Sequence, residues 1–385
     1  MRDAVIVQAV RTPIGKGKPD GALAGVHPVE LLAHTLRTLV ERSGVDPALV
    51  DDVIGGTVDQ VGEQAMNTTR HAWLSAGFPD SVPAVTVDRQ CGSSQQAVHF
   101  AAQGVIAGAY DLVVACGVES MSRVPMWSNV PPGKDPFGPG VAGRFPGGLV
   151  PQGVSAELIA AKWSLGRERM DAFSAASHAK AAAADFTAEL APIAGLAHDE
   201  SVRPATTTEI LAGLKPAFAA PGYAERFPQI DWSVTAGNSS PINDGAAALL
   251  ITTSENAARL GLRPLARLHS FAVTGSDPLL MLTGVIPATG KVLRRAGLRL
   301  DDIDLFEVNE AFAAVVLAWQ QETGADPAKV NVKGGAIALG HPLGASGARV
   351  MTTLVGAMRE RGARYALQTM CEAGGLANAT VLEAL

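Results

Sequence analysis

The sequence predicts an α/β fold built from two similar halves, with a long inserted region. Short apolar segments typical of buried strands alternate with segments that have helical spacing of apolar residues. The same order of elements returns late in the chain, where Asp301-Asp302-Ile303 resembles Asp51-Asp52-Val53. The chain has 385 residues, of which 47% are hydrophobic and 18% charged. It is therefore long and apolar enough to form about two to three packed units.

The first half begins with a strand and a helix. The apolar segment 4–10 predicts a buried strand, and Pro28 suits the first turn of the following helix. Apolar residues recur at helical spacing from Leu32 to Leu39, and Gly44 then marks the helix end. The other elements predicted for this half are a strand at 51–54, a strand at 84–87, a helix at 92–107 and a strand at 111–117.

The second half repeats this series. A strand at 303–308 is followed by a helix that we expect to begin at Asn309. The helix 344–360 and the strand 364–371 then correspond to 92–107 and 111–117, and the strands 246–252 and 377–382 end the two halves. This alternation predicts a sheet covered by helices on both faces.

The region between the halves has a different composition. In segment 129–153, 13 of 25 residues are Gly or Pro, so we expect no regular element there. Helical segments follow at 156–161 and 170–184. We interpret 119–241 as an insertion that covers an active site, and a plain linker between the halves is the alternative.

Charge and hydropathy exclude several classes of function. The formal net charge is −6, so the chain lacks the broad basic surface of a nucleic-acid-binding protein. No apolar run is long enough for a membrane helix, and the first residues do not resemble a signal peptide. We therefore expect a cytoplasmic protein with neither a nucleic acid nor a membrane as partner.

The three cysteines are far apart, which disfavours a disulfide framework or a zinc site. Cys91 follows a predicted strand and precedes a predicted helix, where unpaired amides and the helix dipole favour a thiolate. Taken alone, this position suits a structural cysteine as well as a nucleophile. Cys371 lies at the end of strand 364–371, at the carboxyl edge where α/β sites form. Cys116 lies within an apolar strand, and we expect it to be an inert core residue.

Two further segments place polar side chains near such an edge. His341 lies in the glycine-rich segment 334–344 before a helix, and a histidine between glycines is rarely a core residue. Asn309 and Glu310 follow strand 303–308 directly. Asn309 could serve as the helix N-cap, as a site residue, or as both.

At these residues the chain resembles the thiolase family. The family's signature blocks are matched in order by Cys91-Gly92-Ser93, Asn309-Glu310-Ala311-Phe312, Gly340-His341-Pro342 and Cys371 with the glycines after it. A fifth block, 237–247, lies in a region where family members contact coenzyme A. The resemblance covers almost the whole chain.

The resemblance implies a thiolase-like fold, in which two duplicated α/β halves form a layered αβαβα core with an inserted loop domain. The first half would comprise 1–118 and 242–264, the insertion with its coenzyme A contacts 119–241, and the second half 265–385. It also implies reversible, CoA-dependent cleavage of 3-ketoacyl-CoA to acetyl-CoA and a shortened acyl-CoA, with degradation slightly favoured. A homodimer or homotetramer is expected, the partners are CoA and acyl-CoA substrates, and no metal or other cofactor is implied.

The resemblance also implies roles for individual residues. Cys91 would carry the acyl group, His341 would accept its proton, and Cys371 would act as acid and base at carbon. His341 and a water held by Asn309 would stabilise the enolate oxygen, while the amides of Cys91 and Ala373 would hold the oxygen of the tetrahedral intermediate. Glu310 would hold the catalytic side chains in position without contacting the substrate. Ala236 and Ser240 would contact coenzyme A.

The chain departs from the family pattern at two positions. Ser94 stands where many thiolases have glycine, and Ala373 stands where glycine is usual after the second cysteine. An alanine adopts positive φ less easily than glycine, which puts the oxyanion contact at Ala373 in question. Glu372 would raise the pKa of the thiol if both pointed the same way, but strand alternation predicts that it faces the opposite side.

Two alternatives remain open from the sequence. A ketoacyl synthase shares the architecture but uses one cysteine with two histidines, or with His and Asn, and Cys371 and the block at Asn309 argue against it. A thiolase-like lipid carrier without catalysis is the other alternative. The presence of Cys91, His341 and Cys371 argues against a carrier, and a turnover assay would separate the two.

Overall fold

The computed structural model describes residues 2–385, in which ten strands form one hydrogen-bonded sheet. The strands are β1 (Val5–Arg11), β2 (Gly15–Lys16), β3 (Asp52–Gly56), β4 (Ala84–Val87), β5 (Leu112–Ser120), β6 (Asn243–Thr252), β7 (Ala266–Gly275), β8 (Leu305–Val308), β9 (Tyr365–Glu372) and β10 (Leu376–Ala384). Their order is β4-β3-β5-β6-β1-β7-β10-β9-β8, and β2 pairs with β6.

This order shows the duplication directly. In the first half β3 is parallel to β5, while β6 is antiparallel to both β5 and β1. In the second half β8 is parallel to β9, while β10 is antiparallel to both β9 and β7. A bridge between Phe306 and Val330 takes the place of β4. The halves join where β1 pairs with β7 at Val5–Arg267 and Ile6–Ala266.

Thirteen α-helices accompany the sheet within the described residues. They are α1 (Pro28–Ser43), α2 (Thr68–Ser75), α3 (Ser93–Ala107), α4 (Gly138–Arg144), α5 (Gln152–Lys162), α6 (Arg167–Ala183), α7 (Thr208–Ala212), α8 (Pro221–Arg226), α9 (Ser254–Arg259), α10 (Val285–Ala296), α11 (Ala313–Thr323), α12 (Ala336–Leu339) and α13 (Ser346–Arg361). None of these helices has both the length and the hydrophobicity needed to span a membrane.

Three large hydrophobic cores lie between the layers of helices and strands. α1 packs on one face of the first-half strands, and α10 and α11 pack on one face of the second-half strands. α3 and α13 lie between the two groups of strands, in a core that both groups line. Each strand therefore alternates between an outer and a central core, as a two-sided sheet requires. The predicted layered αβαβα arrangement of two duplicated halves is confirmed.

The contact between α3 and α13 is close, and small side chains permit it. Gly347 of α13 lies against the backbone of Gln95, where a Cβ atom would collide. The amide of Ala348 donates to the Ser94 hydroxyl at 2.9 Å. Ser94 thus ties the two central helices together, and Gly117 of β5 leaves room for it, since a Cβ there would lie 2.7 Å from the Ser94 Cβ.

The structure differs from the sequence-based expectation in two places. Segment 129–153 contains the short helix α4, and Pro139 lies in its first turn. The chain before the helix is held by the Asp135 carboxylate, which accepts hydrogen bonds from the amides of Phe137 and Gly138. Helix α11 begins at Ala313 with Phe312 as N-cap, not at Asn309. The backbone from Asn309 to Phe312 instead runs beside the chain at Asn238–Ser240, with which it exchanges backbone hydrogen bonds.

Candidate active site

Cys91 lies in the turn between β4 and α3, directly before the N-cap Gly92. The turn closes through backbone hydrogen bonds from Gly92 to Arg89 and from Ser93 to Gln90. Gln90 has a φ of 49°, in the left-handed region that non-glycine residues rarely adopt. Such backbone strain is frequent where a turn must present a functional side chain. The thiol itself is buried, with 3% of the residue exposed.

Cys371 lies near the end of β9 and reaches the same region from the second half. Its sulfur is 3.9 Å from the Asn309 Nδ2, which donates to it. Burial raises the pKa of Cys371 to about 12, although the Asn309 contact lowers it in part. The pKa of Cys91 is raised well above its usual value by burial and then by the charges of Cys371 and Glu372. The two thiols therefore lie within electrostatic reach of each other, and both are neutral at rest.

His341 lies in the loop between α12 and the 3-10 turn Leu343–Ala345. Its amide donates to the Asn243 side chain at 3.0 Å, and its Nδ1 lies 2.6 Å from the Ser346 hydroxyl. Burial, with a smaller effect from Arg349, lowers the pKa of His341 to about 3, so the imidazole is neutral.

The hydrogen bonds assign the tautomer of His341. The Ser346 hydroxyl donates its proton to the Pro342 carbonyl at 2.8 Å, so it can only accept from the imidazole. Nδ1 therefore carries the proton, and Nε2 has a free lone pair. Nε2 is buried and has no hydrogen-bond partner in the structure. The side chain thus presents an unprotonated nitrogen that can accept a proton.

Asn309 and Glu310 occupy different layers of the site. Asn309 follows β8, its amide donates to the Thr369 carbonyl, and its Oδ1 is buried without a partner. It is not the helix cap that the sequence allowed. Glu310 accepts hydrogen bonds from Ser177, Asn331 and the Ile337 amide at 2.7, 2.8 and 3.1 Å. Glu310 therefore fixes the start of α12 and, through it, the loop that carries His341.

The turn after Cys371 shows that Ala373 does not need the positive φ that the sequence comparison called into question. Ala373 is not in the left-handed region, because Gly374 and Gly375 take the positive φ values of 81° and 79° in this turn. The carboxyl of Glu372 lies against Gly92. After burial, its charge contributes to the raised pKa values of both Cys91 and Cys371, so strand alternation does not keep the thiol free of its effect as expected. Both Glu372 oxygens are buried without a partner, and burial raises the pKa of Glu372 to about 9.

Two cavities adjoin these groups. The first has a volume of about 770 Å³ and is lined by His341, Phe312 and both predicted coenzyme A contacts, Ala236 and Ser240. The second has a volume of about 260 Å³ and is lined by Gln90 and Ala373, which flank the two cysteines. The cavities share one wall, formed by Met126, Trp127, Pro151, Gln152 and Leu343.

Comparison with known families gives two matches. The N-terminal domain of thiolase matches residues 4–255, and the C-terminal domain of thiolase matches residues 262–384. The chain belongs to the thiolase family. Thiolases are acyltransferases that use CoA thioesters, so the predicted family and enzyme class are both confirmed.

Individual relatives resemble this thiolase over its full length. The steroid 3-ketoacyl-CoA thiolase FadA6 of Mycobacterium tuberculosis is 46% identical, over 100% of this chain and 95% of its own. The 3-ketoacyl-CoA thiolase of Erwinia tasmaniensis is 44% identical over 100% of both chains. That of Citrobacter koseri is 42% identical over 100% of this chain and 99% of its own.

Some residues at the thiolase site were not singled out by the sequence. Asn243 lies inside the block 237–247, but its contact with the His341 loop depends on the tertiary fold. Ser346 could have been noticed because it follows His341 at the start of a helix. Asp59, in the loop after β3, lines the second cavity and gave no sequence signal. Cys116 is buried in the core of the first half, as predicted.

Proposed function

We propose that this thiolase cleaves 3-ketoacyl-CoA with free CoA through an acyl group carried by Cys91, chiefly in the degradative direction. The observation that supports this most directly is the convergence of two buried thiols, one from each half, beside a cavity lined by His341. A nucleophile, a base with a free lone pair and a second thiol are the groups that the reaction requires.

In the first step, Nε2 of His341 accepts the proton of Cys91, and the sulfur attacks the C3 keto carbon of the substrate. A base is needed because burial raises the pKa of Cys91 and keeps the thiol neutral. Nε2 suits this role because Ser346 holds the proton on Nδ1. The amides of Cys91 and Ala373 are the proposed donors to the oxygen of the tetrahedral intermediate.

In the second step, the C2–C3 bond breaks and its electron pair passes to the enolate of acetyl-CoA. Cys371 protonates this enolate at C2, and the acyl group remains on Cys91 as a thioester. A pKa of about 12 keeps Cys371 protonated and able to donate. Nε2–H of His341, now protonated, and Asn309 with a water stabilise the enolate oxygen, and Asn309 already lies beside Cys371.

In the last step, the thiol of a new CoA gives its proton to the Cys371 thiolate that the second step leaves, and its sulfur attacks the thioester on Cys91. The shortened acyl-CoA leaves, and the sulfur of Cys91 recovers its proton from Nε2–H of His341. Acyl transfer between two thiols is nearly balanced, because one thioester is exchanged for another. The reverse condensation is therefore open to the same residues.

The first cavity is the proposed coenzyme A site. Ala236 and Ser240 line it together with Lys16, Lys18 and Arg203, whose cationic side chains suit the phosphates of coenzyme A. Most of its wall belongs to 119–241, which supports our assignment of that segment as an inserted coenzyme A-binding domain between the two parts of the first half, 1–118 and 242–264.

We further propose that the enzyme works in the cytoplasm as a homodimer or homotetramer. Its three cysteines are unpaired, and thiol catalysis needs the reducing conditions of that compartment. β4 is an edge strand, and Val85, Leu74 and Met66 in and near it are exposed apolar residues. An uncovered apolar edge of this kind suits pairing with a second copy, which light scattering on the purified protein would detect.

Two measurements test the proposed function. Incubation with 3-ketooctanoyl-CoA and CoA should yield acetyl-CoA and hexanoyl-CoA, measured by chromatography. Brief exposure to acetoacetyl-CoA without CoA should add an acetyl group that peptide mass spectrometry locates on Cys91. Cys116→Ala is the matched control, because that thiol lies in the core and should leave acetylation intact. Absence of turnover would favour a carrier, and label on another cysteine would refute the assignment of Cys91.

A further inference from the structure

The second cavity is bounded by residues beside both thiols, so it is the natural place for the acyl group of the substrate. Gln90 precedes Cys91 in the chain, and Ala373 follows shortly after Cys371. Val58 and Leu343, which also line the cavity, belong to the same buried apolar cluster as Cys91. An acyl chain bound to Cys91 can therefore extend into this space.

The wall of this cavity is mostly apolar, with one acidic side chain. The apolar part suits a hydrocarbon chain and is formed by Val58, Val130, Phe137, Leu149, Val150 and Leu343. Asp59 interrupts it, although only 1% of this residue is exposed. A carboxyl group in such surroundings is costly unless it is hydrogen-bonded.

The hydrogen-bond needs of Asp59 are only partly met. The backbone amides of Asn129 and Trp127 lower its pKa, but burial outweighs them and raises it above the usual value. Its Oδ2 is buried and has no hydrogen-bond partner. Buried polar atoms are usually satisfied by the protein or by ordered water. Because Asp59 lines the second cavity, a polar group on a bound acyl chain is another available partner.

The surroundings restrict what that partner can be. A carboxylate on the substrate would be repelled by Asp59 and by Asp88, whose charge already raises the pKa of Asp59. A cation would have to be buried in a largely apolar cavity, which is unfavourable. A hydroxyl group is uncharged, and it can donate to an ionised carboxylate or accept from a protonated one.

We propose that the second cavity binds an acyl group bearing a hydroxyl, and that Oδ2 of Asp59 forms a hydrogen bond with that hydroxyl. This inference rests on the proposed function, because it concerns the acyl part of the 3-ketoacyl-CoA substrate. A site built to bind a hydroxyl discriminates against the analogue that lacks it, since the buried polar group is then left unpaired. The enzyme should therefore prefer the oxygenated substrate.

The test compares matched pairs of substrates. For 3-ketohexanoyl-, 3-ketooctanoyl- and 3-ketodecanoyl-CoA, kcat/KM is measured with and without a hydroxyl at the far end of the chain. In the wild-type enzyme we expect roughly a tenfold preference for the hydroxylated member at one chain length or more. Turnover of the unsubstituted chains tests the proposed function alone, so its failure is separate from the failure of this inference.

Variants at Asp59 locate the source of the preference. Asp59→Val should abolish it, by lowering kcat/KM for the hydroxylated member and raising it for the unsubstituted one. Asp59→Asn should retain most of it, because the amide oxygen still accepts a hydrogen bond. Glu63→Gln is the matched control, since this acid lies in the same loop but pairs with Arg123 at the surface.

Three outcomes would overturn the inference. They are a wild-type enzyme with no preference at any chain length, a preference that survives in Asp59→Val, and an equal loss of both substrates in that variant. The last result would make Asp59 an anchor for the backbone at Asn129 and Trp127. Asp59→Val leaves the Asn129 and Trp127 amides without this acceptor, which lowers stability, so its melting temperature is measured beside that of Asp59→Asn, which keeps an acceptor oxygen.

Discussion

The two halves of this thiolase share one topology but supply their thiols from different elements. In the first half the thiol precedes the central helix α3, whereas in the second half it lies in the strand that follows the central helix α13, one residue before the strand ends. Gly108 and Gly362 end these two helices in the same left-handed conformation. Nine residues after each of them stand Gly117 in the first half and Cys371 in the second.

The difference shows how a duplicated fold becomes an asymmetric site. A Cβ at Gly117 would lie 2.5 Å from the Gly344 carbonyl, so the first half has no side chain where the loop of the second half packs. Before α13, at the position equivalent to Cys91, the chain has Gly344 and Ala345. Each half thus has a cysteine at only one of the two equivalent positions, and the two cysteines can therefore take different roles.

The largest effect that would sharpen this comparison is expected at Cys371. Cys371→Ala should lower thiolysis by roughly a thousandfold, within the range for loss of a general acid. Cys91 should still accept an acetyl group from acetyl-CoA, because this half-reaction needs no proton transfer to carbon. Exchange of the acetyl-CoA methyl protons with deuterated water, followed by mass spectrometry, should cease. Exchange at the wild-type rate would show that another base acts at carbon.

A smaller effect is expected at Asn309. Asn309→Ala should lower turnover by roughly a hundredfold, as for loss of one oxyanion donor, and leave the affinity for CoA almost unchanged. Asn309→Asp should also be impaired, since a carboxylate beside Cys371 would repel the enolate. Because Phe312 and not Asn309 caps α11, both variants should melt near the wild-type temperature. A fully active Asn309→Asp enzyme would contradict the proposed role.

The tautomer of His341 gives a third and weaker test. Ser346→Ala removes the acceptor of the Nδ1 proton, so turnover should fall roughly tenfold, the cost of one hydrogen bond. Ser346→Thr retains the hydroxyl and should restore most of the rate. With wild-type His341, whose pKa is about 3, no acidic limb from this residue should appear in kcat/KM above about pH 4. A limb near pH 6 that moves in Ser346→Ala would show that His341 titrates normally.

The smallest effect is expected at Glu372 and concerns stability. Its folded pKa of about 9 lies above the value of an unfolded glutamate, so the folded state holds a proton that the unfolded state releases. Stability should therefore fall as the pH rises from about 5 to about 9. Glu372→Gln should remove this loss and raise the melting temperature by roughly 2–4 °C at neutral pH. The difference between variant and wild type should grow with pH, and a constant difference would contradict the assigned pKa.

Local sequence signals predicted much of the fold. The helix from Pro28 to Gly44 was predicted because proline at its start and glycine at its end act through backbone geometry alone. The position of Cys91 before α3 follows in the same way from the strand and helix on either side. The expectation at α4 failed because Asp135 and Pro139 favour a short helix locally despite the glycines around it. The expectation at Asn309 failed because pairing beside Asn238 outweighs local preference.

The chemical features of the site were less accessible from sequence. The tautomer of His341 depends on Ser346 and the Pro342 carbonyl, whose arrangement exists only once the loop has folded. The unpartnered oxygen of Asp59 depends on burial by segments distant in sequence. Residue types in ordered blocks predicted which side chains meet, whereas protonation and unmet hydrogen bonds required the three-dimensional structure.

The pairing of β5 with β6 has an evolutionary consequence. β5 ends at Ser120 and β6 begins at Asn243, and Ser120 lies opposite Asp244 in the ladder, so the long segment between them leaves and re-enters the sheet at neighbouring points. The entropy of closing such a loop changes only slowly with its length. Lengthening, shortening or replacing this segment can therefore reshape both cavity walls while the strands that hold the thiols stay in place. The preference for a particular acyl chain can therefore change during evolution while the catalytic residues stay the same.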